Sequence, residues 1–205
     1  MHQTRRESST KLPIPRKGTK YLVRASSHIK NSIPVLIALR DMLKLARNAK
    51  EAKSIIKEKE IKINGKRVKD YHESIKLFNI LEADKTYVLS LLPTKKFILQ
   101  ESKINFRLCK VTGKRLIKGN TTQINLHDGS NLLTKEKANV GDSIYLDFAG
   151  KIKKIVPLEK GKEVFVIDGK HTGQKGTISS IENKKADIQF KEGVFQIDFG
   201  RVVAL

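Results

Sequence analysis

The sequence predicts an α+β chain that is mostly β, and three observations carry that expectation. Apolar residues recur at three- and four-residue spacing mainly across residues 33–58, the mark of amphipathic helix. From about residue 95 onward, short apolar runs alternate with glycine-bearing turns, as in small β-barrels or sandwiches. Between these regions Asn64-Gly65 interrupts an alternating stretch, the strongest short hairpin signal because both residues tolerate positive φ. With 205 residues, the chain has room for one to three small modules, each with its own core.

The elements follow in order. Residues 1–31 read as a basic extended arm: Lys11-Leu12-Pro13-Ile14-Pro15-Arg16-Lys17-Gly18 has no periodicity, and its prolines favour extended backbone. Such an arm is expected to order only against a partner. Pro13 and Pro15 also argue against reading this segment as an amphipathic transit peptide. Residues 32–94 form the next unit. In it, Val35, Leu36, Leu39, Met42, Leu43 and Ala46 predict one apolar face of a helix from Pro34 to Arg47, with Arg40, Lys44 and Arg47 on another face. Asn48 is a natural N-cap with Glu51 three residues on, which predicts a second helix carrying Lys50, Lys53 and Lys57 on its outer face. The Asn64-Gly65 hairpin then displays Lys62, Lys66, Arg67 and Lys69. Residues 75–82 are short and apolar, and a strand follows at 86–92.

Residues 95–156 read as a central β-rich domain. Its strands at 122–126 and 131–133 flank the turn His127-Asp128-Gly129-Ser130, and a further hairpin turns at Ala149-Gly150. Residues 157–205 repeat this character, with strands at 164–167, 178–181, 186–190 and 194–199.

Charge narrows the class of partner. The chain carries 42 Lys plus Arg against 21 Asp plus Glu, a formal net charge of +21. Solubility of a small domain needs a magnitude of only roughly 2–8, so a polyanionic partner, nucleic acid above all, is expected. The charge is uneven: residues 1–30 have net +7, residues 31–70 net +6, residues 71–156 net +7, and residues 157–205 only +1.

Other chemistries lack their residues. Cys109 is the sole cysteine, so no internal disulfide forms and a reducing compartment is expected. His2, His28, His72, His127 and His171 are scattered singly, without metal-ligand spacing. No Gly-x-x-x-x-Gly-Lys-Ser/Thr string, nucleophile elbow or paired acids stand out. No run of 18 apolar residues occurs. No catalysis, cofactor, metal, membrane or small-molecule substrate is therefore expected.

The sharpest motif runs from Gly161 to Ile178: a strand, a tight turn, then a loop punctuated by Gly169, Gly173 and Gly176 and carrying Lys170, His171 and Lys175. Those glycines permit positive φ or close backbone approach. The segment resembles the KOW motif of ribosomal proteins and transcription elongation factors, which implies an SH3-like barrel for residues 157–205. Adding Pro-Ile-Pro-Arg-Lys-Gly at 13–18, Ser32-Ile33-Pro34, Leu39-Arg40-Asp41, Ile63-Asn64-Gly65-Lys66 and Leu108-Cys109-Lys110-Val111, the order of parts resembles the archaeal and eukaryotic small-subunit ribosomal protein family S4e. The helix–helix–hairpin of residues 34–69 is similar to an RNA-binding module shared with a bacterial ribosomal protein and several pseudouridine synthases.

This resemblance implies a cytoplasmic structural protein of the small ribosomal subunit that binds small-subunit rRNA, meets neighbouring ribosomal proteins and has no cofactor. Carried onto this chain, the implied RNA contacts are Arg16, Lys17, Lys20 and Arg24 from the arm, and Arg40, Lys44, Arg47, Lys50 and Lys53 from the helices. Lys62, Lys66 and Arg67 come from the hairpin, and Lys170 and Lys175 from the KOW-like loop. The chain stops at Leu205 without the extended basic tail of the eukaryotic pattern, which favours an archaeal source. Two alternatives share parts of this pattern. An RNA-modifying enzyme would need a catalytic aspartate that the nearest string, Gly200-Arg201-Val202-Val203, lacks. A KOW-type elongation factor would place an α/β domain before the barrel.

Overall fold

The computed structural model describes residues 2–117, 121–182 and 185–205. Parts of the predicted arm, central domain and C-terminal region that fall on 1, 118–120 and 183–184 lie outside the described residues. Strands dominate, and the chain divides into two compact units, residues 1–105 and 106–205.

In the first unit, five antiparallel strands lie in the order Lys66–Arg67, Lys62–Ile63, Ile80–Glu82, Thr86–Leu91, Phe97–Glu101. Asn64 and Gly65 take φ of 51° and 76°, the paired positive values of a type I′ turn. The Asn64 side chain adds a lock by accepting from the Ile80 N–H at 2.9 Å. Phe97–Glu101 pairs with Thr86–Leu91, so this strand belongs with the first unit, and the second unit begins at Phe106. Its alternation is what any β segment shows; only the pairing partner assigns it.

The segment read as an extended arm is folded onto the first unit. His2–Thr4 pairs with Tyr21–Val23, Leu12 is 2% exposed, and the Phe97 N–H donates to the Lys11 carbonyl at 2.9 Å. Leu12, Leu22 and Ala25 are its buried apolar side chains.

The first predicted helix is also shorter than its spacing suggests. Ser32–Pro34 is a strand, Val35–Ile37 a single helical turn, and Ala38–Met42 a wider turn in which the Leu43 N–H donates to the Ala38 carbonyl. Every side chain from Val35 to Leu39 is buried, so the segment has no solvent face along which a stripe could run. Lys44 then enters the left-handed region at φ 56° and ends the helix. The second helix is Ala49–Glu58, with Asn48 as the cap: its side chain accepts from the Glu51 N–H at 2.9 Å. Glu51 reaches back one residue further than a capping box, to the Arg47 N–H at 2.8 Å. Ala52 and Ile56 are buried beneath it.

The second unit holds two five-stranded antiparallel sheets. One runs Asn131–Thr134, Thr121–Leu126, Phe106–Ile117, Ser143–Asp147, Ile152–Val156. Its long strand shifts register between Val111 and Gly113, which lets one strand pair with Ser143–Asp147 on one flank and Thr121–Leu126 on the other. The other sheet runs Gly193–Asp198, Lys185–Phe190, Lys175–Glu182, Glu163–Val166, Val202–Ala204. The last of these strands, a three-residue apolar run after Arg201, was not foreseen; it pairs with Glu163–Val166 and is fully buried. Val164, Val166, Ile178, Ile188 and Phe190 form the core here. Gly176 has no positive φ; a Cβ there would lie 2.6 Å from Ile188 Cγ2 and 2.7 Å from the Gln189 carbonyl oxygen, so its role is close strand approach.

Candidate nucleic-acid interface

The predicted contacts fall into two groups. Arg16, Lys17, Lys20, Arg24, Lys44, Arg47, Lys50, Lys53, Lys66, Arg67, Lys170 and Lys175 are exposed, whereas Arg40 and Lys62 are half-buried. Arg40 donates to both oxygens of Asp41, at 3.1 and 2.8 Å, and Lys62 lies 3.1 Å from Glu60. With the first helix ending before Lys44, the predicted stripe Arg40–Lys44–Arg47 does not form.

The second helix and its surroundings do converge. Lys50, Lys53 and Lys57 share its exposed side, and Arg67 of the hairpin donates to the Lys57 carbonyl at 3.1 Å. Lys53 Nζ sits 4.7 Å above the Tyr71 ring, which lies 4.1 Å from His72. The His72 ring meets the Arg24 carbonyl at 2.9 Å. Arg67 thus ties the hairpin to the end of the helix, and Tyr71 and His72 link Lys53 to the backbone of the N-terminal segment at Arg24. Such a surface can meet phosphates with its cations and a nucleotide ring with its aromatics.

In the second unit, Lys170 lines a cleft of about 430 Å³ with Lys185 and Arg201, but Asp168 and Asp198 line it too. Arg201 lies 3.6 Å from Asp198, and Lys175 lies 4.0 Å from Glu163. His171 lines this cleft half-buried: its ring stacks 5.1 Å from Phe190 and lies tilted 4.2 Å from Phe195, and Nδ1 is 3.1 Å from Gln174 Oε1. The two phenylalanines that meet it lie 19 and 24 residues away in sequence.

Several charged groups of this unit work inside the fold. Lys110 is 4% exposed and donates to the carbonyls of Phe199 and Val202, the latter at 2.6 Å, tying the two sheets together. Burial pushes its pKa down to about 8. Asp128 is buried against Arg107 and accepts from the Ser130 N–H at 2.8 Å and hydroxyl at 2.5 Å. Burial pushes the Asp128 pKa up, but the Ser130 bonds and Arg107 outweigh it and leave the carboxyl below its ordinary value. Burial drives the Cys109 thiol up to about 12, so it stays a protonated core side chain. Among the described residues no His, Cys, Asp and Glu group could hold a metal, and no helix is long and apolar enough to cross a membrane.

One cationic concavity went unforeseen. Arg6 and Arg16 meet Lys95, from the turn before Phe97–Glu101, around a groove of about 810 Å³. Their separation of some eighty positions in sequence left no local signal.

The class these features define is a basic, β-rich protein whose exposed cations offer a surface to a polyanion. The comparisons with known proteins make it particular. The family model for ribosomal family S4e matches residues 83–155, and the KOW motif matches residues 160–191. Small ribosomal subunit protein eS4 of Methanothermobacter thermautotrophicus is 36% identical over 190 residues, covering 88% of this chain and 78% of that protein. The eS4 of Archaeoglobus fulgidus is 34% identical, covering 88% and 80%. The crystal structure of the 30S ribosomal protein S4e from Thermoplasma acidophilum superposes with a TM-score of 0.73 at 28% identity, covering 85% of this chain and 95% of that one. The chain belongs to the S4e family.

Proposed function

We infer that this chain is a structural constituent of the small ribosomal subunit, binding rRNA beside other ribosomal proteins in the cytoplasm and catalysing no reaction. The 36% identity to a small-subunit protein across 88% of the chain is the observation that carries this reading. The helix Ala49–Glu58 with the Asn64-Gly65 hairpin serves as the RNA-binding module, and residues 157–205 serve as an SH3-like KOW barrel. Arg16, Lys17, Lys20, Arg24, Lys50, Lys53, Lys66 and Arg67 are the principal phosphate contacts. Arg40, Lys62 and Lys175 contribute less, because each is paired with an acid, and so does Lys170, whose cleft is also lined by Asp168 and Asp198; Lys44 and Arg47 add further contacts.

Mechanistically, contacts spread over separate elements hold rRNA segments in one arrangement, and shape plus phosphate position is what they read. The tagged chain, expressed in an archaeal host and followed through a density gradient, should migrate with small subunits and leave them at high salt. Migration with RNA polymerase, or release of tritium from labelled uridine RNA by the purified protein, would contradict this reading.

A further inference from the structure

The groove around Arg6, Arg16 and Lys95 belongs to neither the helix–hairpin cluster nor the KOW loop. Its architecture starts with two cations directed into the protein. Arg5 donates through Nε to the Thr19 carbonyl at 2.8 Å, through Nη2 to the Thr19 hydroxyl at 3.1 Å, and to the Pro15 carbonyl. Gly18 makes room for it: a Cβ there would stand 2.8 Å from Arg5 Nη2. Lys96 donates to the carbonyls of Thr10 at 2.6 Å and Leu12 at 3.1 Å. These bonds pin the 10–19 segment against the turn at 94–96 and shape the groove.

The Ser8 and Ser9 hydroxyls, also in the lining, donate to the carbonyls of Arg5 at 2.7 Å and Lys30 at 3.1 Å. Arg6, Arg16 and Lys95 are exposed and have no ion pair or side-chain hydrogen bond among the described residues, and the hydroxyls of Thr10 and Thr94 make none either. Lys95 is held at the turn tip in a left-handed conformation, φ 63°, which fixes where its side chain departs. No carboxylate lines the groove. A cavity of about 810 Å³ with all its charge of one sign far exceeds what a single small anion fills. It also lacks the convergent buried polar groups that orient a small molecule. An extended polyanion with regularly spaced charges fits both facts.

We propose that this groove seats a stretch of RNA phosphodiester backbone, with Arg6, Arg16 and Lys95 meeting phosphates and Arg5 and Lys96 as positioning residues. The proposal rests on the rRNA-binding reading above and adds a separate seat for the RNA strand.

The test measures affinity of the full chain for a small-subunit rRNA transcript against salt concentration. The variant Arg6→Gln/Arg16→Gln/Lys95→Gln should bind about 10- to 100-fold more weakly at low salt. Its log–log salt slope should be shallower by roughly two, since each lost phosphate contact removes about 0.7–0.9. Should the triple variant unfold, Lys95→Glu alone decides, because it alters one exposed turn residue; about tenfold weaker binding is expected. A wild-type slope near zero overturns the rRNA reading and the groove with it. A steep wild-type slope, unchanged in the groove variants but reduced in Lys50→Gln/Lys53→Gln/Lys66→Gln, overturns the groove alone. So does binding of polyglutamate that the groove variants lose while keeping RNA affinity, which would assign the groove to an acidic protein segment.

Discussion

The two units use the same residue types for different work. Residues 1–105 carry 24 basic and 10 acidic side chains, net +14; residues 106–205 carry 18 and 11, net +7. In the first unit most cations point to solvent around the helix Ala49–Glu58, the hairpin and the N-terminal groove. In the second, Lys110 and Arg107 are drawn inside, and Lys153, Lys175 and Arg201 lie within 4.0 Å of acids, as Arg40, Lys62 and Lys85 do in the first. Net charge identifies a polyanion as partner, but burial decides which cations are available to meet it. The first unit is therefore expected to supply most of the RNA affinity and the second mainly to fix position.

The largest expected effect lies in the internal charge of the second unit. Asp128→Ala leaves Arg107 half-enclosed without its carboxylate, and breaking a buried pair in this way costs about 3–5 kcal/mol. Chemical denaturation should show that loss, with RNA affinity of the still-folded protein little changed. A loss of affinity without a loss of stability would place Asp128 and Arg107 at the interface and blur the contrast between units.

A smaller, pH-dependent effect belongs to Lys110. Its folded pKa of about 8 lies below the ordinary lysine value of 10.5, so between those values the native state has already released a proton that the unfolded state still binds. Stability contributed by this residue therefore rises with pH across that window and falls again as pH drops through about 8. The melting-temperature difference between wild type and Lys110→Met should shift in favour of wild type from pH 8 to pH 10. A difference independent of pH would show that the ammonium is not held in a buried, desolvated site.

How much of this was legible in the sequence depended on how local each cause was. Asn64-Gly65 and the Asn48 cap announce themselves because their physics is complete within four residues. The glycines of the 161–178 motif were legible as a set, though Gly176 acts through a strand thirteen residues on and not through φ. The short first helix was misread because three- and four-residue spacing looks the same when a segment is buried on every side. The folded N-terminal segment was missed because its anchor, the turn at 94–96, lies some eighty residues away. Lys110 sits in an alternating strand like many other lysines, and its acceptors are 89 and 92 residues downstream. The helix and hairpin cations were therefore readable as an outward-facing cluster, whereas the groove and the inward-turned lysine required the tertiary structure.

The contrast between units is tested most directly by removing three charges from each in the full chain and comparing the salt dependence of rRNA binding. Lys50→Gln/Lys53→Gln/Lys66→Gln should weaken binding about 30- to 100-fold at low salt and flatten the log–log slope by roughly two. Lys170→Gln/Lys175→Gln/Arg201→Gln should weaken it less than about fivefold and change the slope by less than about one. Equal losses from the two triplets, or the larger loss from the second, would contradict the assignment of affinity to residues 1–105.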